Sequence, residues 1–208
     1  MVIFSSVLLI ACSLFAAILP YRQPQKLSDQ ARPLASLSAL SCLFVALSAI
    51  ISLFVSSNLN EDQAVAIIFN NLANYLALPL LCAIVLSTFF KRFFTKATWG
   101  RISLVMLATF ELCRRAEIGD IYSYSLAIGT SIAIAVCLFV WQKGSSKLLL
   151  INLATAISYS LAAVIFSKAV ATQYQSIVLY QCFLGLALIG INYNLSIAIA
   201  KIELKASQ

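Results

Sequence analysis

ISLVMLATFELCRRAEIGD, residues 102–120, decides how many times this chain crosses a membrane and where its polar chemistry lies. Its apolar part, residues 102–113, is 12 residues long, about 18 Å of helix at ~1.5 Å per residue. A bilayer core is about 30 Å thick. A helix crossing here carries Glu111, Arg114 and Arg115 some way into the membrane. An unpaired charge there costs at least ~2–3 kcal/mol near the centre, so partners and a purpose are both expected. On a helix Glu111 faces Arg114 and Arg115 at i+3 and i+4, while Arg114 reaches Glu117 at i+3. Such an ion-pair network either neutralises itself and snorkels to the headgroups, or opens outward as a site for a cation, a proton or an anionic substrate.

The rest of the chain is more apolar still. It has 208 residues, is 62% hydrophobic and 10% charged, and its mean hydropathy is +0.98. Soluble domains carry about 25% charged residues, so the reading is an all-α integral membrane protein. Histidine is absent from the sequence, which removes the commonest general base and metal ligand. There is no GxSxG and no Gly-rich phosphate loop either, and no enzyme is expected. Cys12, Cys42, Cys82, Cys113, Cys137 and Cys182 each fall in a different apolar run with no CxxC pair. They read as small packing residues rather than a disulfide framework or thiolate site.

Seven transmembrane helices are expected in one domain, 1–208, at about 2–20, 34–55, 64–90, 102–118, 121–141, 148–166 and 176–200. No basic residue precedes the first run, so it reads as a retained helix and not a cleaved signal. Assigning alternate loops to one side gathers 11 of the 14 basic residues there: Arg22, Lys26, Arg32, Lys91, Arg92, Lys96, Arg101, Lys143, Lys147, Lys201 and Lys205. The positive-inside rule then places the N-terminus outside and the C-terminus in the cytoplasm. The +7 net charge is thus a topology signal, and no nucleic-acid partner is expected. An odd count with an unusual fourth helix fits three-plus-one-plus-three, in which parallel repeats flank a linker helix. Aligning the third and seventh spans sets Ile68-Phe69-Asn70 against Leu179-Tyr180-Gln181 and Pro79 against Gly190. The first and fifth share Ile3-Phe4-Ser5 against Ile121-Tyr122-Ser123.

Three further groups bear on function. Asn70, Asn71 and Asn74 with Tyr75 lie near the outer end of the third span, where amides either bridge helices or serve as cation ligands. Asn192 and Asn194 lie in the cytoplasmic half of the seventh, as a helix contact or an inner gate. Glu61, Asp62 and Asp120 have no basic residue within four positions. They are the expected ligands of a divalent cation, with Asn70, Asn71 or Asn74 completing an oxygen-rich shell. Small residues on the second span, Ala35, Ala39, Ala46 and Ala49, fit close approach either to a second copy of the chain or to another of its own helices.

The N-terminal MVIFSSVLLIACSLFAAILPYRQPQK and the ELCRRAEIGD turn in a 208-residue chain resemble the AciT family, small trimeric inner-membrane proteins of Gram-negative bacteria. The resemblance implies a role in maintaining the cell envelope, a homotrimer with a cavity between protomers, and a divalent-cation site. The three-plus-one-plus-three layout also resembles the SWEET transporters, which implies passage of a small solute. Those proteins carry a proline-glutamine pair at a helix kink, whereas Pro24-Gln25 falls in a loop here. Two expectations follow: an envelope factor embedded among lipids, with an outward cation site, or a small-solute transporter or channel.

Overall fold

Each apolar run folds as a helix. The computed structural model describes residues 2–22, 31–55, 62–140, 146–166 and 173–206. The helices are α1 (Val2–Ile18), α2 (Ala31–Val55), α3 (Asp62–Leu72), α4 (Leu78–Phe89), α5 (Lys96–Arg115), α6 (Gly119–Val140), α7 (Ser146–Phe166) and α8 (Gln173–Ala206). Among the described residues there is no strand, and six helical segments are long and apolar enough to cross a membrane.

Proline marks the irregularities. Pro20 sits in a 3-10 turn, Leu19–Tyr21, at the end of α1. Pro33 falls in the first turn of α2, where its missing N–H is no loss. Pro79 falls inside a helix and cannot donate to the carbonyl of Tyr75, one turn earlier. The chain answers with a π-helical turn, Ala73–Ala77, closed by a bond from the Leu78 N–H to the Ala73 carbonyl. That turn joins α3 to α4 as one rod and turns Asn74 and Tyr75 out of α-helical register.

The fourth run departs from expectation. Its helix begins at Lys96, capped by Thr95, whose hydroxyl accepts from the Thr98 N–H at 3.3 Å. It ends at Arg115 and not at 118. There Glu117 turns left-handed (φ 61°), and the Ile118 N–H reaches back to the Cys113 carbonyl at 3.1 Å. With charges at both ends, α5 is not among the six apolar segments. Lys91 closes α4 by the same device (φ 54°), with the Arg92 N–H bonded to the Ser87 carbonyl at 2.9 Å.

Packing between helices forms a ring. α1 lies against α2 and α8, α8 against α7, α7 against α6, α6 against α4, and α4 with the π turn against α2. α5 stands outside, on α6 and the π turn. In lipid, helix association rests on close packing and hydrogen bonds, and the contacts here use small residues. Ala35, Ala46 and Ala49 are buried and Ala39 is packed against the core, so this face of α2 is consumed within the chain and is not free to meet a second copy. Gly190 lets α8 approach Thr155 of α7 so closely that a Cβ there would overlap its hydroxyl.

Two contacts set the direction of α5. Trp99 is buried among Leu34, Leu80, Ile84, Leu195 and Ile199, while Phe110 stacks on Tyr75 with ring centroids 4.0 Å apart. The helix therefore runs antiparallel to the α3–α4 rod, and α6 starts at the end where α3 starts. Arg22, Arg32, Lys91, Arg92, Lys96, Arg101 and Lys201 are exposed at one end of the bundle, with Arg114 and Arg115 at the other.

Candidate functional site

The charged turn comes first because the sequence singled it out. Arg114 grips Glu111 with two bonds, Nε to Oε2 and a terminal nitrogen to Oε1, both 2.8 Å, and the Arg115 Nε adds a third at 2.9 Å. Both arginines are open to the surroundings, with side chains 61% and 76% exposed. Glu117 does not join them. It occupies the left-handed turn position, and no ion pair reaches it among the described residues. The cluster is a self-neutralised surface patch at a helix end.

Glu61 and the side chains of Asp62 and Asp120 lie outside the described residues. Among the described residues no three His, Cys, Asp or Glu side chains converge. Of the amide oxygens expected to complete the shell, those of Asn70 and Asn74 each accept a hydrogen bond. The Asn74 Nδ2 donates to Asn70 Oδ1 at 3.0 Å, and the Tyr180 hydroxyl donates to Asn74 Oδ1 at 3.0 Å. Asn71 is half-buried beside them.

The asparagines of α8 make structural contacts. Asn192 is fully buried; its Oδ1 accepts from the Ser38 hydroxyl of α2, and its Nδ2 donates to the Leu188 carbonyl at 2.9 Å. Asn194 donates to the Gly190 carbonyl at 2.9 Å, within its own helix.

What the bundle does build is a pair of clefts. The first lies between the π turn, α4, α6, α7 and α8. Its polar side chains are Asn74, Tyr75, Ser123, Thr130, Tyr159 and Tyr180, with Pro79, Phe166 and aliphatic residues around them. The Tyr159 hydroxyl reaches Thr130 Oγ1 at 3.4 Å, and the Phe166 and Tyr180 rings lie 5.8 Å apart. The second lies between α1, α2, α3, the π turn and α8, and its polar lining is Ser48, Ser52, Asn70, Asn74, Tyr180 and Gln181. Asn74, Leu78, Tyr180 and Leu184 line both. The Asn74–Tyr180 hydrogen bond therefore stands in the wall between them. No lining residue of either cleft is Asp, Glu, Lys or Arg.

Of the residues read from sequence, Asn70, Asn74 and Tyr75 come together at these clefts, while Asn192 and Asn194 do not. Tyr159, Tyr180, Thr130, Ser48 and Gln181 were missed. Single hydroxyls in apolar helices commonly bond their own backbone, as Thr130 does to the Leu126 carbonyl at 2.8 Å, so nothing marks them in advance. One signal was present: the span alignment set Gln181 against Asn70, and both line the second cleft. Compared with known proteins, the chain matches no family model, no curated relative and no solved structure.

Proposed function

We propose that this chain is a multi-pass inner-membrane protein of seven spans, built as two three-helix halves joined by α5, and that it binds and passes a small uncharged polar solute. The observation that carries this reading is the uncharged lining of the first cleft, where amide and hydroxyl groups meet tyrosine rings deep among apolar helices. Such a surface offers hydrogen bonds without a field that would favour either sign of ion. A π turn beside it supports the same reading, since such turns recur where a helix serves a ligand.

The halves are α1–α2–α3/α4 and α6–α7–α8. The two clefts exchange when the halves are exchanged. Val45, Ser48, Ala49 and Ser52 of α2 stand 114 positions before Tyr159, Ala162, Ala163 and Phe166 of α7. Asn74, Tyr75 and Leu78 stand 106 positions before Tyr180, Gln181 and Leu184, and Leu9 stands 118 before Ala127. On the last rod this pairs Pro79 with Gly185, five positions from the pairing the sequence alignment chose. Repeats in parallel orientation require a linker that returns the chain across the membrane, and α5 is 20 residues long, about 30 Å.

The test is uptake by proteoliposomes holding the purified protein, with labelled erythritol and D-glucose as uncharged probes and glucose 6-phosphate as the charged one. Uptake of an uncharged probe, lost in Tyr159→Ala, is the expected result. Uptake of the phosphate alone, or of none of the three, overturns the reading.

A further inference from the structure

The second cleft holds groups that the fold leaves unused. Gln181 is only 8% exposed, and its Oε1 accepts hydroxyls from Ser5 at 2.6 Å and Ser6 at 3.1 Å. With the oxygen so placed, its Nε2 carries two N–H donors with no partner among the described residues. Ser48 is also 8% exposed, and its hydroxyl has no partner among the described residues; only its carbonyl is used, by the Ser52 hydroxyl at 2.7 Å. Asn70 gives its Oδ1 to Asn74 and keeps its amide N–H groups. Asn70 is exposed, and neither Gln181 Nε2 nor Ser48 Oγ is among the side-chain atoms sealed from the surroundings without a partner, as Ser41 Oγ and Trp99 Nε1 are. Three donors open on one cleft wall point to a ligand that supplies acceptors.

We propose that this cleft, between α1, α2, α3 and α8, is a second solute subsite, taking an uncharged polyol through Gln181 Nε2, Ser48 Oγ and Asn70 Nδ2. The proposal rests on the solute-binding reading above and adds a second bound molecule to it. A polyol fits because each of its hydroxyl oxygens accepts as well as donates, which serves the two amides and the serine together. An anion finds no Lys or Arg on this lining, and a cation finds no carboxylate. The counterparts in the first cleft differ in kind. Ser52 faces the position of Phe166, Val45 that of Tyr159, and Gln181 that of Tyr75. The first cleft therefore grips a solute chiefly by ring faces, and the second chiefly by donors. The wall they share, Asn74 with Tyr180 and Leu78 with Leu184, holds two molecules apart.

The equivalence of the halves supplies the test. Ser48→Leu fills the second cleft, and Ala162→Leu fills the first at the matching position. Binding of labelled erythritol and D-glucose to the purified full-length protein is measured to saturation, with glucose 6-phosphate as control. Two molecules per wild-type chain, and one in each filling variant, are expected. Ser48→Ala removes a hydroxyl with no partner among the described residues. It is expected to leave the unfolding temperature unchanged and to weaken one of the two sites about 3- to 10-fold, which also serves if Ser48→Leu does not fold. Unchanged stoichiometry in Ser48→Leu, or unchanged affinity in Ser48→Ala, overturns the second subsite. If Ala162→Leu still abolishes a site in that case, the first-cleft reading stands alone. A single site lost only in Ser48→Leu upholds the second cleft and overturns the first. A folded wild-type protein that binds neither polyol overturns both.

Discussion

At the residue scale, Glu111 shows how a conspicuous sequence feature turns out to be local. Its three hydrogen bonds come from its own helix, and none reaches another element. The spacing of Arg114 and Arg115 gave that geometry in advance, because i+3 and i+4 are fixed by the helix itself. The role of Glu117 was not readable in the same way. Whether a helix continues or stops depends on a backbone turn, and a glutamate at φ 61° gives no compositional hint of one. Glu111→Gln removes the charge that Arg114 and Arg115 share, and because these side chains are exposed the unfolding temperature is expected to change little, as read by melting curves of the two proteins at pH 7. A loss of several degrees would give this carboxylate a contact outside its own helix.

At the scale of elements, the helices were legible because their apolar runs are long and are cut by loops rich in charge or Pro, such as Tyr21-Arg22-Gln23-Pro24. Their bounds moved by a few residues where caps decide, as at Thr95. The partners of each helix were less legible. Ala35 and Ala49 announce close approach without saying to what, and the answer lies in the shapes of α1, α3 and α8 together. Gly190 makes the point testable. Its missing side chain is what admits Thr155, whose hydroxyl turns to the Ile151 carbonyl at 2.7 Å. Overpacking of this kind typically costs about 1–3 kcal/mol. Gly190→Ala is thus expected to lower the unfolding temperature by several degrees, whereas Gly185→Ala, whose added Cβ lies a tight but not overlapping 3.2 Å from the Cys12 Cβ, costs less. Thr155→Ala in the Gly190→Ala background should recover part of the loss. No recovery would mean that the α7–α8 contact does not depend on that pair.

At the scale of the molecule, the open question is what α5 does, and its two ends give opposite signals. Its composition keeps it out of the set of six apolar helices, yet its contacts run from Trp99 beside Leu80 and Ile84 to Phe110 beside Tyr75, along the length of the α3–α4 rod. A helix lying flat on a membrane surface makes contacts at one depth, and these span more than one. The charges argue the same way. With α5 crossing, Lys143, Lys147, Lys201 and Lys205 fall on the side of Lys91, Arg92, Lys96 and Arg101; without it they fall opposite, and the basic residues are split between the two faces. Each misplaced Lys or Arg opposes the positive-inside preference. The expected topology is therefore an outward N-terminus and a cytoplasmic C-terminus, on opposite sides of the membrane. A reporter that fluoresces only in the cytoplasm should light up when fused after Gln208 and stay dark when fused before Met1. A phosphatase active only in the periplasm should give the reverse. Replacing Lys91, Arg92, Lys96 and Arg101 together by Gln removes the charges that hold the α4–α5 turn inside, and a mixed signal from both reporters is expected. Both termini reporting the same side in the native sequence would leave α5 at the surface, and the two halves would then be related as inverted rather than parallel repeats.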